Sequence, residues 1–207
     1  TQTFAHYRHD PNIATTLSSD IIFSLYQDRG GVLWVGSYGG SLSTYDPLAN
    51  QFIHYYAEPK NPKSLVDNSI FAIEPAPDGT VWIGTYGRGL EHFDPRTGEF
   101  THYSHNPNIP ESLANDFVLS LHSARDGALW IGTQDGLDRL DTATGIITHY
   151  KTDPDNPNSL PGNHIAAIAQ DASDVIWVGT LNGLARFNRA DQTFTRYTHS
   201  DEPDSLS

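Results

Sequence analysis

The chain has 207 residues, with 12 Lys and Arg against 25 Asp and Glu, a net charge of -13 and no cysteine. Scattered cations on an acidic chain exclude phosphate-driven nucleic-acid binding and docking on an anionic membrane surface. The missing cysteine excludes a disulfide frame and thiolate metal sites. No apolar run approaches the ~20 residues that span a bilayer, and the chain starts at Thr1 without Met or a leader. We therefore expect an excised, soluble piece of something larger, without direct membrane insertion.

In chain order, the first predicted element is a strand over Thr3 to Tyr7, ending "FAHY". A Pro/Asn linker follows and closes on "TLSSD" at Asp20. Strand A is "IIFSLYQ", and strand B is "LWVGS" with Trp34. The turn "SYGGSL" leads to strand C, "LSTYD", and "PLANQ" leads to strand D, "FIHY", ending at Tyr55. The same order then recurs. Strand A returns as "IFAIEP", "VLSLHS" and "IAAIAQ", and strand B as "VWIGT", "LWIGT" and "IWVGT". The Asp-Gly pairs in "PDGT" and "RDGA" between them are hairpin signals. Strand C returns as "LEHFD", "LDRLD" and "LARFN", and strand D as "FTHY", "ITHY" and "FTRY".

Three registers share one period. Trp34, Trp82, Trp130 and Trp177 are 48, 48 and 47 residues apart, and Tyr7, Tyr55, Tyr103, Tyr150 and Tyr197 are 48, 48, 47 and 47 apart. The Ser/Thr-Leu-x-x-Asp/Asn motif ends at Asp20, Asn68, Asp116 and Asn163, and the chain stops in a fifth copy, "SLS". Four-stranded antiparallel units at this period predict an all-β fold, a β-propeller. Strands A and B are apolar on both sides of the pleat, as a blade held between two others requires. Ser24, Ala72, Ser120 and Ala167 form a small-residue column on strand A, expected where innermost strands crowd.

We therefore expect one propeller segment over 1–207. Its blades cover about 20–55, 68–103, 116–150 and 163–197. Residues 1–7 give the outer strand of a preceding blade, and 198–207 start the linker to a following one. Four complete blades plus one extra outer strand cannot close on themselves, so the chain reads as part of a larger ring. Open blade faces predict self-association, or union with remaining blades of the same protein.

The repeat unit, carrying "SLxxN", "DG", "LWIGT", "GL" and "TG", resembles the two-component regulator propeller repeat over nearly the whole chain. The resemblance implies a ring of about seven blades in the extracytoplasmic, periplasmic part of a bacterial sensor, coupled to an output domain. It implies a non-catalytic sensing or scaffold role, carbohydrate-responsive in several relatives.

Candidate chemistry is sparse. His6, His54, His102 and His149 share one column, but each copy sits on a different blade, so they read as half-exposed outer-strand residues rather than a metal site. Asp46, Asp94, Asp141 and Asn188 end strand C and read as turn formers. "DPDNPNS" (153–159) fails the calcium-loop pattern at Pro157 and Asn158. No nucleophile elbow or phosphate loop is present. We expect no enzyme, catalytic residue, metal or cofactor. The alternatives are a propeller lyase or hydrolase, and a purely structural, self-assembling fragment. The repeats differ most in their B-to-C turns, which offer Tyr38, Tyr86, Arg88, Gln134, Asp135 and Asn182 as candidates for a carbohydrate or other small ligand.

Overall fold

The computed structural model describes residues 4–199. They form four separate antiparallel sheets of four strands each, and no helix. The first blade comprises β1 (Ile22–Gln27), β2 (Leu33–Ser37), β3 (Ser41–Asp46) and β4 (Gln51–Tyr55). The second comprises β5 (Ile70–Pro75), β6 (Val81–Thr85), β7 (Leu90–Asp94) and β8 (Glu99–Tyr103). The third comprises β9 (Val118–Ser123), β10 (Ala128–Thr133), β11 (Gly136–Asp141) and β12 (Ile147–Tyr150). The fourth comprises β13 (Ile165–Gln170), β14 (Ile176–Thr180), β15 (Gly183–Asn188) and β16 (Thr193–Tyr197). Strand order within each sheet follows chain order, as in a meander. The fold is thus all-β, built of propeller blades.

The expected extra outer strand is not formed within the described residues. Among the described residues, 4–7 lie outside any strand, because they have no C strand to pair with. Residues 1–3 and 200–207, at the two ends of that reading, lie outside the described residues. Tyr7 nevertheless sits on the first blade as a D-strand tyrosine should. Its ring meets Tyr45 and Phe52 at 5.2 and 5.7 Å. Tyr55 meets the equivalent Phe93 and Phe100 at 4.9 and 6.3 Å.

The chain divides into two compact units. One is Thr1–Tyr86 with Glu91–His102, and the other is Gly87–Leu90 with Tyr103–Ser207. In the first, Trp34, Leu42, Leu65, Ile70, Ile83, Phe93 and Phe100 form the larger core. In the second, Trp130, Leu137, Leu160, Ile165, Val178, Phe187 and Phe194 do. Each core draws on two successive blades, and the B strands β6 and β10 are buried on both faces.

The Trp-x-Gly step explains itself at atomic scale. A Cβ on Gly36 would lie 2.2 Å from Ser24 Oγ and 2.7 Å from Ile70 Cγ2. On Gly132 it would lie 2.2 Å from Ser120 Oγ and 2.7 Å from Ile165 Cγ2. Strand B therefore gives up a side chain to admit the isoleucine that opens the next blade. The small column on strand A, cross-paired with these glycines, lines the same notch.

The Ser/Thr-Leu-x-x-Asp/Asn motif ties down each linker. Thr16, Ser64, Ser112 and Ser159 accept the amides of Asp10, Glu58, Asn106 and Asp153 at 2.9, 3.0, 2.8 and 2.7 Å. Leu17, Leu65, Leu113 and Leu160 are buried. Asp20, Asn68, Asp116 and Asn163 accept the amides of His9, Ala57, His105 and Thr152 at 2.8, 2.8, 2.6 and 2.8 Å. A linker otherwise rich in unpaired amides is thus pinned without secondary structure of its own.

Candidate functional site

Every strand A carries a bulge at the same place. Pairing with strand B skips one residue between Ile22 and Ser24, Ile70 and Ala72, Val118 and Ser120, and Ile165 and Ala167. A bulge re-aims the extra side chain. The residues so placed are Phe23, Phe71, Leu119 and Ala166.

In the first unit the two bulge phenylalanines meet the two turn tyrosines. Phe23 stacks on Phe71 at 4.1 Å, and Phe71 stacks on Tyr86 at 4.5 Å, both within 17° of parallel. Tyr38 stands edge-on to all three rings, at 6.1 Å from Phe23, 6.3 Å from Phe71 and 6.2 Å from Tyr86. The turn amides of Tyr38 and Tyr86 are fixed on the carbonyls of Ile21 and Ser69 at 2.9 and 3.0 Å. Despite this packing the group faces solvent, with Phe23, Tyr38 and Tyr86 exposed by 50, 45 and 36%. A clustered, exposed aromatic group on rigid strand ends is an uncommon surface feature for a globular protein.

The other candidate turns are used differently. Asp135 accepts Lys151 Nζ at 2.6 Å and Asn163 Nδ2 at 3.3 Å, so its carboxylate is already committed. Gln134 is half-buried and its amide caps the Phe117 carbonyl at 3.1 Å. The Asn182 amide bonds Thr180 Oγ1 at 3.1 Å. Arg88 is exposed, between Gly87 and Gly89, whose amides both donate to the Asp116 carbonyl. Of the six candidates, the structure joins Tyr38 and Tyr86, and adds Phe23 and Phe71. The sequence did hold a signal for those two. At the bulge position the copies read Phe, Phe, Leu and Ala, so this column varies as the B-to-C turns do.

The histidine column is tied into the sheet rather than simply displayed. On each blade it faces a strand C residue. Ser43 Oγ lies 2.8 Å from His54 Nδ1, Glu91 Oε2 lies 2.5 Å from His102 Nδ1, and Asp138 Oδ1 lies 2.6 Å from His149 Nδ1. The far nitrogen reaches the linker: His102 Nε2 lies 2.8 Å from the Pro62 carbonyl, and His149 Nε2 lies 2.7 Å from that of Pro110. In the fourth blade Arg196 takes the place of histidine and binds the carbonyls of Ser159, Asp153 and Asn156. Burial pushes Glu91 up to about 7, against the pull of His102 and the Val66 backbone. The hydrogen bond that His149 donates to the Asp138 carboxylate raises His149, against its burial. These are latches.

Asp46, Asp94 and Asp141 are turn formers, accepting the amides of Leu48, Arg96 and Ala143 at 2.8, 2.9 and 3.0 Å. Asn188 departs, donating to Thr193 and Thr195 instead. In 153–159, Asp153 and Asn156 likewise close local turns on the amides of Asp155 and Asn158. Among the described residues, no group of three or more His, Asp or Glu could hold a metal ion.

Four meander sheets that each carry a Trp-x-Gly strand define a propeller-repeat protein. The family model described as two component regulator propeller matches residues 16–39, 64–87, 112–135 and 159–182. The chain belongs to this repeat family. Its blades superpose on the extracellular domain of a hybrid two component system from B. thetaiotaomicron, with TM-score 0.78 and 28% identity, over 91% of this chain and 25% of that one. The extracellular domain of a one component system from the same organism gives TM-score 0.72 and 22% identity, over 94% and 26%. Virginiamycin B lyase from Staphylococcus aureus gives 0.64 and 17%, over 88% and 57%, a likeness of fold alone. The chain spans about a quarter of the length of the two signalling relatives. No curated protein sequence matches it.

Proposed function

We propose that this chain belongs to the ligand-sensing and scaffolding propeller of a bacterial extracytoplasmic signalling receptor and does no chemistry itself. The family match and the extracellular signalling domains among its structural neighbours support the sensor role and the location. The single observation behind ligand binding is the exposed group of Phe23, Phe71, Tyr38 and Tyr86. Its shape narrows what it offers. Both faces of Phe71 are covered by neighbouring rings, so the group presents ring edges and the outer side of Phe23 rather than an open platform. The apolar face of a sugar ring suits such a surface, with the Tyr38 hydroxyl at its rim. Passing the signal to an output domain then requires that occupancy alters how blades pack on the rest of the receptor.

The test is calorimetric titration of a panel of neutral oligosaccharides, followed by Phe23→Ala and Tyr38→Ala on any that binds. Loss of an aromatic contact of ~1 kcal/mol weakens affinity about 5–10-fold in each variant. A bound saccharide whose affinity neither substitution changes would place the ligand elsewhere.

A further inference from the structure

A second site lies in the other unit. A cavity of about 440 Å³ opens between the third and fourth blades, lined among others by Arg139, Arg186, Arg189, Asp126, Asp174 and Trp130. Its volume falls in the range of small-molecule sites. The chain is strongly acidic, yet three of its twelve Lys and Arg residues converge here.

The charges do not balance. Asp126 Oδ2 is shared by two guanidiniums, taking Arg139 Nη2 at 3.1 Å and Arg189 Nη2 at 2.5 Å. Asp174 is paired with Arg125, which does not line the cavity. Arg186 is exposed on β15 and its side chain makes no ion pair or hydrogen bond among the described residues; the carboxylate whose charge it acts on, Asp171, is held by Trp177 Nε1 and the Val175 amide. Of the three guanidiniums that line the cavity, two thus share the single Asp126 carboxylate and the third, Arg186, has no ion pair of its own. Arg139 lies 5.9 Å over the Trp130 ring, which holds its plane in place.

The arrangement is also particular to this pair of blades. The strand C column reads Thr44, His92, Arg139 and Arg186, and the position of Arg189 is Pro47, Pro95 and Thr142 in the other copies. An architectural need of the repeat would be met in every copy. In the second blade it is met by His92, which stacks flat on Trp82 at 3.9 Å without adding a guanidinium. Guanidinium forks fit the paired oxygens of carboxylate, sulfate or phosphate, and in a dented, partly shielded surface such contacts are stronger than in open water.

We propose that this cavity binds a small molecule through an oxyanion group, seated between Arg186 and Arg189 opposite Asp126. It is separate from the aromatic group, and neither site depends on the other. The probes are sodium sulfate, inorganic phosphate and D-glucuronate, titrated calorimetrically into the 207-residue chain at fixed ionic strength. Saturable binding is expected for at least one. Arg186→Gln and Arg189→Gln should each weaken it at least 10-fold, Arg186→Lys less, and Tyr38→Ala not at all. Raising sodium chloride should weaken it further. Tighter binding of glucuronate would identify an acidic sugar as the ligand class, and equal binding of the inorganic ions would identify the oxyanion alone. Arg186 is solvent-exposed, and matching circular dichroism of its variants would exclude misfolding as the cause. The proposal is overturned if none of the three probes saturates, or if binding persists unchanged in both glutamine variants.

Discussion

Ser41 is where one residue departs from what its repeat requires. The position before the first leucine of strand C is glycine in three blades, at Gly89, Gly136 and Gly183, with φ of 88, 131 and 133°. The first blade places Ser41 there at φ 140°. A Cβ on Gly89 would lie 2.1 Å from the Tyr103 carbonyl, and one on Gly183 would lie 2.5 Å from that of Tyr197. The serine hydroxyl is buried and without a hydrogen-bond partner among the described residues. A positive φ at a residue with a side chain and an unpaired buried hydroxyl each cost about 1–3 kcal/mol. Ser41→Gly removes both and is therefore expected to stabilise the chain by up to about 2–6 kcal/mol, less about 1 kcal/mol for the added entropy of a glycine in the unfolded chain. Urea unfolding at fixed pH measures it, and an unchanged or lower midpoint would show that the turn carries no strain. Legibility is uneven at this scale. The copy-to-copy contrast at position 41 stands in the sequence. The Trp-x-Gly step likewise stands in the sequence four times, at Gly36, Gly84, Gly132 and Gly179. It took coordinates to show that Ile70 and Ile165 fill the space over Gly36 and Gly132, because those contacts join residues 34 and 33 positions apart.

The latch between strands C and D shows how one element absorbs variation. Asp138 bridges two groups, with Oδ1 on His149 and Oδ2 on the Ala114 amide at 2.8 Å. Glu91 faces Val66 in the same place, and Ser43 faces Ser18. The fourth copy has Pro161, which has no amide hydrogen to satisfy, and there the acid is replaced by Ala185 and the histidine by Arg196. The donor, the acid and the cation change together. The histidine column alone could not reveal this in the sequence, because its partner lies eleven residues earlier and reads Ser, Glu, Asp or Ala. Reading the histidines as half-exposed outer-strand residues located His54, His102 and His149 correctly but missed what they hold, and His6 lies outside any strand.

The latch has a pH consequence. In the second blade both His102 nitrogens face oxygen acceptors, so one further proton must sit between Nδ1 and Glu91 Oε2. Burial raises Glu91 from 4.5 to about 7 in the folded chain. A group raised on folding contributes stability that is fully present below its unfolded value and is lost as pH rises through the folded one. Stability from this latch should therefore decline between about pH 4.5 and 7, and His149, also raised, adds a decline of the same sign above pH 6.5. Glu91→Gln keeps a donor for Nδ1 without the titration. Its melting temperature relative to the parent chain should rise as pH increases from 5 to 8. A constant difference across that range would contradict the shared proton.

At the scale of the whole molecule, the fold was legible because three motifs kept one period, and a period near 48 with four short strands has few architectural solutions. The strand bulge, and the meeting of Phe23 and Phe71 with the candidate tyrosines, were not, since both arise from where a re-aimed side chain lands. The same repetition exposes an asymmetry at the two ends of the series. Ile70 and Ile165 fill the notches at Gly36 and Gly132, and Ile70, Val118 and Ile165 are 0% exposed. Their counterpart Ile22 is 36% exposed, and Leu25 on the same strand is 63% exposed. At the other end, a Cβ on Gly179 would meet only its own blade, with Ala167 Cβ nearest at 3.6 Å. One isoleucine knob is therefore left without a notch, and one notch without a knob. Their chemistry matches each other as Ile70 matches Gly36. Within a longer chain, neighbouring blades of the same repeat would take up both faces. For the 207 residues alone, a second copy supplies the same surfaces, and the contact is head-to-tail rather than two-fold. Burying an isoleucine in such a notch contributes about 2 kcal/mol, supplemented by the apolar strand around it. Light scattering of the chain at micromolar concentration should therefore give a mass above 22.9 kDa. Ile22→Asp, at a solvent-facing position, should return it to the monomer without lowering the melting temperature measured at low concentration. A monomeric parent chain with a single cooperative melt would show that these two faces do not recognise one another.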